Sequence, residues 1–321
     1  MQVYRVNHPS MSAALPPPMR GAVAAIGNFD GVHKGHQAVI EHARRLAQAC
    51  AAPLAVISFE PHPRAIIAPD QPPARLTALR QKIQILQGLN VDCLIVIRFT
   101  KALMAHSAEE FIDALLIDRL ALRGVVSGPN FYFGHKRGGN PAMLAAHMQS
   151  KGRLAAVADP LKLGDEFCSS SRIRSALEAG DVALAEQMLG RPYQIDGMVK
   201  PGEQRGRTIG FPTANVHPLA GRLARGQTLL PAHGVYAVQA LTRAGDALPA
   251  VANLGRRPTF DGRTTLLEVH LFDFTGDLYG KRLGIQFIER IRAEQKFSGI
   301  DALRGQIAQD SAQAKRILGH I

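Results

Sequence analysis

Tryptophan is absent from the 321 residues, cysteine occurs three times, and aromatic residues make up 6%. So few rings argue against a row of stacking platforms for single-stranded nucleic acid. Cys50, Cys93 and Cys168 lie far apart. They form no zinc-ligand spacing and no disulfide framework, which fits a reducing compartment. No apolar run reaches the length of a membrane-spanning helix. The stretch 1–19 has prolines but no apolar signal core. The expectation is a cytoplasmic protein with no membrane partner. Internal repeats and low-complexity tracts are missing too. Acidic residues are the scarcer charge, 26 against 38 Lys and Arg, for a net charge of +12. Such a field attracts nucleic acid, anionic lipid or phosphorylated small molecules. The cations are scattered rather than blocked, so a generally basic surface is the plain alternative.

The length suggests two domains. The first half alternates strand-like runs (22–26, 54–59, 93–97, 125–126, 154–158) with helical patterns. One helix carries Val39, Ala43, Leu46 and Cys50 at helical spacing, and another Leu79, Ile83 and Leu86. Ser107 to Glu110 reads as a capping box that opens a helix through Leu120, and a further helix surrounds 143–148. Strand–helix alternation predicts a parallel sheet covered by helices on both faces. After about Leu189 the pattern changes to short alternating runs: 195–199, 235–241, 250–254, 266–274 and 282–288. These predict a small antiparallel barrel, followed by a C-terminal helix over 300–318. The expected fold class is α/β plus all-β. The expected domains are 1–188 and 189–321, joined through a helical stretch at 181–190.

The most informative stretch is Gly27-Asn28-Phe29-Asp30-Gly31-Val32-His33-Lys34-Gly35-His36. It lies where a strand hands over to a helix. A helix start offers free N–H groups and partial positive charge, suited to phosphate. Gly35 lets backbone approach a ligand closely. The alternative is two ordinary histidines on a solvated helix start. Three more motifs sit near strand ends: Phe59-Glu60-Pro61-His62-Pro63, the segment 128–134 containing Asn130, and Ser169-Ser170-Ser171-Arg172-Ile173-Arg174. The last offers hydroxyls, a helix start and two guanidiniums to phosphate oxygens; a plain serine N-cap is its alternative.

In the second half, 210–215 reads as a loop after the basic, Gly-rich run 200–207. Thr213 and Asn215 supply hard oxygens suited to magnesium, or simply form a surface turn. The run 201–210 is a candidate lid. Alternation along 266–274 places Glu268, His270, Phe272 and Phe274 on one face and Leu267, Val269 and Leu271 on the other. That face is either a site or the solvated side of an edge strand.

The four N-terminal motifs, in their order over about 20–180, resemble the adenylyltransferase half of the bacterial bifunctional riboflavin kinase/FAD synthetase family. The resemblance implies a Rossmann-like nucleotidyltransferase domain. By it, His33 and His36 hold the ATP phosphates during attack, while Asn28, Phe29, Asp30, Gly31 and Gly35 line the pocket. Ser170, Ser171, Arg172 and Arg174 match the family's Ser-Ser-Thr-x-Ile-Arg run, with Ser171 in place of Thr. His62 is implied to contact the flavin, and Asn130, which stands where the family often has Asp, to face the nucleotide or flavin side, as a flavin contact. The chain over about 190–310 is similar to the riboflavin kinase half of the same family, with support from Gly234-Val-Tyr-Ala-Val238 and Asn253-Leu-Gly-Arg-Arg-Pro-Thr259. This implies Glu268 as general base, Thr213 and Asn215 as ligands of magnesium and ATP, and Arg292 and Phe297 beside the flavin. The partners implied are ATP, riboflavin, FMN and FAD, with magnesium accompanying ATP and no nucleic acid. Two other readings stand beside this one. One is a basic nucleic-acid-binding protein, suggested by the charge. The other is a nucleotidyltransferase for another phosphorylated acceptor, which leaves Thr213, Asn215 and Glu268 without a role.

Overall fold

The computed structural model describes residues 1–7, 16, 19–201, 210–219, 228–259 and 262–319, with backbone alone for 256–259 and 262–264. The candidate lid at 201–210 and the basic run at 200–207 that it overlaps fall largely at 202–209, outside the described residues. The described chain divides into two compact units, Met1–Ser170 on one side and Ser171–Ala220 with Thr228–Ile321 on the other.

The first unit is built on six strands: Gln2–Val6 (β1), Val23–Ile26 (β2), Leu54–Glu60 (β3), Cys93–Arg98 (β4), Gly124–Ser127 (β5) and Leu154–Val157 (β6). Their order is β1-β4-β3-β2-β5-β6, and every pairing is parallel. β2, β3 and β5 are buried along their whole length. That is why they read as continuous apolar runs rather than alternating ones. Alternate residues feed two cores. Ala24, Ile26, Ile57 and Ile95 pack with Phe111, Ile112, Leu115 and Leu144 on one face. Val23, Ala25, Val56 and Leu94 pack with Val39, Ile40, Ala43 and Leu86 on the other. Leu46 and Cys50, expected on the buried stripe, are only partly covered. β1 is an edge strand that the sequence pattern does not announce, because it is short and mostly exposed.

The helices of this unit are Lys34–Ala49 (α1), Pro63–Ile67 (α2), Leu79–Gly88 (α3), Lys101–Ala105 (α4), Ala108–Glu110 (α5) and Pro141–Ser150 (α6). The Ser107 capping box forms as expected, and α5 runs on as a π-helix over Phe111–Arg119. A small ribbon pairs Lys162–Leu163 (β7) with Glu166–Phe167 (β8). Strand order reverses at β2, between β3 and β5. Ile26 is in register with both Ile57 and Ser127. The motifs after β2, β3 and β5 therefore leave the sheet from one row, at the crevice where doubly wound sheets take ligands.

The second unit holds Ser171 onward of the helix Ser170–Ala179 (α7), then Val182–Leu189 (α8), a closed antiparallel barrel, and Ile300–Ile317 (α9). The barrel strands are Tyr193–Lys200 (β9), Ala214–Pro218 (β10), Gly234–Leu241 (β11), Ala247–Thr259 (β12), Gly262–Leu271 (β13) and Arg282–Arg292 (β14). They close in the order β10-β13-β12-β11-β14-β9. Tyr193, Val199, Val216, Tyr236, Leu254, Leu267, Val269 and Phe287 fill the interior. α9 covers part of the outside, packing Ala314, Ile317 and Leu318 on Val235, Ala237, Val251 and Phe272. The loop expected at 210–215 is corrected here: Ala214 and Asn215 begin β10. Ala214 and Val216 turn inward, but five residues containing one β-branched side chain and ending in proline give a weak strand signal.

Candidate active sites

In the first unit, the turn between β2 and α1 is held in an unusual backbone conformation. Phe29 and Val32 have φ of 49° and 41°, and Gly31 has 90°. Non-glycine residues in this region are strained and persist where surroundings over-determine them. Those surroundings are visible. Phe29 and Val32 are buried in the core. The buried Asp30 carboxylate accepts the N–H of Leu76 at 3.1 and 3.2 Å and of Thr77 at 3.1 Å. The Ser170 hydroxyl donates to the Asp30 carbonyl at 2.8 Å. The Asn28 carbonyl accepts from Ser58 Oγ at 3.0 Å and Lys82 Nζ at 2.9 Å. Phe29, Asp30 and Gly31 thus face inward and form the foundation of the turn.

His33 is the N-cap of α1, its Nδ1 accepting the His36 N–H at 3.3 Å. Accepting at Nδ1 leaves the ring proton of a neutral imidazole on Nε2, which can donate. The His33 and His36 rings stack, with centroids 3.6 Å apart. Cys168 Sγ lies 3.6 Å from His33 Nδ1. A Cβ on Gly35 would stand 3.1 Å from two atoms of the His33 ring and 3.2 Å from the Cys168 carbonyl. The close approach that needs glycine is therefore to the protein's own ring and backbone.

His62 caps α2, its Nδ1 accepting from Arg64 N at 3.2 Å. Asn130 is exposed three residues beyond β5. Ser170 begins α7, and Ser171, Arg172 and Arg174 follow on that helix in the second unit. Ile173 between the arginines is buried.

Sequence reasoning passed over a buried charge cluster beneath the turn. Glu60 binds Arg75 through both carboxylate oxygens and stands 3.7 Å from Lys82 Nζ. Burial pulls the Lys82 ammonium down to about 8; Glu60 opposes the fall and Arg75 adds to it. Burial also works against the Arg75 cation, but its bond to Glu60 and that carboxylate's charge hold it above its ordinary value. One signal was available: Lys82 falls on the apolar stripe of α3 defined by Leu79, Ile83 and Leu86, where a charge needs a buried partner.

In the second unit, strand register builds a row of polar side chains. Glu268 on β13 is opposite Asn215 on β10 and Asn253 on β12. Asn215 is in turn opposite Lys200, and Asn253 opposite Val235, which is opposite Arg292. Directly paired residues share a face, so this row crosses the outer face of the barrel while Leu267 and Val269 point inward. Thr213 is exposed just before β10. His270 Nδ1 lies 2.8 Å from the Pro212 carbonyl, tying that segment to β13. Phe272 lies past the end of β13 and is buried under α9, so it serves the core. The Arg292 guanidinium takes Asp310 on α9 through Nε at 2.9 Å and Nη2 at 2.7 Å. It also sits 5.7 Å from the Phe297 ring centroid. Asn253 opens a run that the sequence reading used only as support for the family, and Asp310 lies in no motif.

Among the described residues, no group of three or more His, Cys, Asp or Glu is placed to hold a metal ion. The Thr213 hydroxyl and the Asn215 amide oxygen are hard donors. They suit a magnesium ion that takes most of its ligands from substrate phosphates and water.

The chain matches the family model described as FAD synthetase over 16–172 and that described as riboflavin kinase over 189–318. It is 42% identical to the bifunctional riboflavin kinase/FMN adenylyltransferase of Haemophilus influenzae, covering 92% of this chain and 94% of that one. The Escherichia coli K12 protein of the same description is 40% identical, with 94% of each chain covered. A crystal structure of a macrolide-efflux protein from Streptococcus pneumoniae has a TM-score of 0.87 and 29% identity, covering 98% of this chain and 99% of that one. Among the described residues here, no helix is long and apolar enough to cross a membrane.

Proposed function

As a member of the bifunctional riboflavin kinase/FMN adenylyltransferase family, the chain phosphorylates riboflavin to FMN and adenylylates FMN to FAD, and we propose which residues carry each step. The observation that supports two separate sites is the placement of the family matches. One falls on the parallel-sheet unit and the other on the barrel unit, each with its own polar constellation. The proposed catalytic domains are 1–188 and 189–321.

For adenylylation, a phosphate oxygen of FMN attacks the α-phosphorus of ATP and pyrophosphate leaves. Negative charge builds on the equatorial and leaving oxygens, so positioning and positive groups suffice without a covalent enzyme intermediate. His36 and the α1 start supply donors to those oxygens. His33 holds the His36 ring by stacking and offers its own Nε2 proton. Asn28 and Gly35 border the phosphates. Ser170, Ser171, Arg172 and Arg174 are proposed as further phosphate ligands, and His62 and Asn130 as flavin contacts, from their motifs.

For phosphorylation, Glu268 takes the proton of the ribityl 5′-hydroxyl as that oxygen attacks the γ-phosphorus of ATP, the bond to the bridging oxygen breaks and ADP leaves. Asn215 and Asn253 flank Glu268 in the strand register. Thr213 and Asn215 would hold magnesium, which neutralises charge on the ATP phosphates when bound. Arg292, fixed by Asp310, and Phe297 would border the flavin.

Two substitutions test the assignment, with flavins resolved by chromatography after incubation with ATP and magnesium. His36→Ala is expected to stop FAD formation while FMN accumulates from riboflavin. Glu268→Ala is expected to stop riboflavin phosphorylation and spare adenylylation of supplied FMN. A folded protein in which either change removes both activities overturns the two-site assignment.

A further inference from the structure

The Lys82 ammonium has three N–H bonds and three acceptors around it. These are the Asn28 carbonyl at 2.9 Å, Ser58 Oγ at 2.9 Å and Glu60 at 3.7 Å. Ser58 also donates to the same Asn28 carbonyl. The side chain is 1% exposed. It therefore links the end of β3 to the first residue of the strained turn, from a buried face of α3. Opposite it, Asp30 anchors the other side of that turn through Leu76 and Thr77. Arg75, in the same segment, binds Glu60. Two carboxylates and two cations thus form a buried set whose charges balance while Lys82 is protonated.

An ion this deeply buried is expensive to keep. A leucine or methionine would fill the α3 stripe more cheaply, so packing does not explain it. What the ammonium does that an apolar side chain cannot is hold the Asn28 carbonyl. We propose that Lys82 is a positioning residue for adenylyl transfer, fixing the turn from Asn28 to Val32 and through it the His33–His36 stack at the start of α1. The inference rests on the adenylyltransferase reading of this unit.

Its protonation state supplies a readout. The groups facing Nζ are Glu60 on β3, Asp30 on the turn and Arg75 before α3. Burial and Arg75 favour loss of the proton; Glu60 and Asp30 oppose it, and the balance lies at about 8. Above that point the amine has one donor fewer, and Glu60 and Asp30 face Arg75 alone. Turn positioning then weakens, so FAD formation should fall as pH rises while FMN formation does not share this limb.

The experiment uses the full-length protein. Lys82→Met keeps the volume of the side chain and removes its charge. The expected result is a kcat for FAD formation lowered at least about tenfold, with KM for FMN and ATP changed far less and riboflavin phosphorylation within about twofold of wild type. The wild-type protein gives the second measurement, which needs no folded variant: kcat for FAD formation declines through about pH 8. Wild type that makes no FAD from FMN and ATP overturns the adenylyltransferase reading itself. Wild type that makes FAD at a rate flat through this range overturns the Lys82 proposal alone. So does a Lys82→Met protein with normal kinase activity that forms FAD at the wild-type rate.

Discussion

Changing Gly35 to alanine separates a structural role from a catalytic one. Gly35 is the second residue of α1, and its φ is not in the left-handed region. On helix propensity alone, alanine gains up to ~1 kcal/mol at an interior position and less in a first turn. Against this stands the new Cβ, which would meet the His33 ring at 3.1 Å and the Cys168 carbonyl at 3.2 Å. The carbonyl is backbone and yields little. The ring must therefore move by a few tenths of an ångström, and it is already stacked on His36 and hydrogen-bonded at Nδ1. Relieving such a contact costs on the order of 1 kcal/mol. The two effects offset each other, so the thermal midpoint should stay within a few degrees of wild type. Activity should not stay. A misplacement of about 1 Å can cost about 100-fold in rate, so a shift of a few tenths should slow FAD formation roughly threefold to tenfold. The assay is FAD formation from FMN and ATP, with riboflavin phosphorylation as the internal control. A folded Gly35→Ala protein with wild-type FAD formation would refute the claim that this contact sets the histidine pair.

The barrel supports two further expectations. Asn215→Ala should raise several-fold the magnesium concentration that half-saturates FMN formation and leave adenylylation of supplied FMN unchanged; an unaltered magnesium dependence would exclude Asn215 as a ligand. Asp310→Asn removes the charge that pairs with Arg292 and one of its two acceptor oxygens; the Arg292 side chain is 20% exposed against 5% for the aspartate. Breaking a fully buried pair costs ~3–5 kcal/mol, and the partial exposure here reduces that to ~2–3 kcal/mol. Thermal unfolding should show a fall of several degrees, with slower riboflavin phosphorylation and normal FAD formation from FMN; a wild-type midpoint would mean that Arg292 does not hold α9 to the barrel.

Much of the architecture was legible because its signals are local. Continuous apolar runs and helical stripes announce the parallel sheet, and Ser107-Ala-Glu-Glu110 announces its own capping box. β1 and β10 escaped notice because each is short and weakly apolar, and each is stabilised by a partner far away in the chain. The π-helical winding of 111–119 has no sequence signal that we can identify.

The histidine motif shows the same division more sharply. Sequence alone sufficed to place two imidazoles and a glycine at a strand-to-helix turn, and the order of motifs sufficed for the family. It could not tell that Asp30 turns inward to two amides, that Gly35 makes room for the His33 ring, or that Lys82 holds the Asn28 carbonyl. Nor could it set Glu268 between Asn215 and Asn253. A residue's type states which bonds it can form. The direction in which it points, and which partner from 50 residues away it meets, follow from strand register and close packing, and those exist only once the chain has folded.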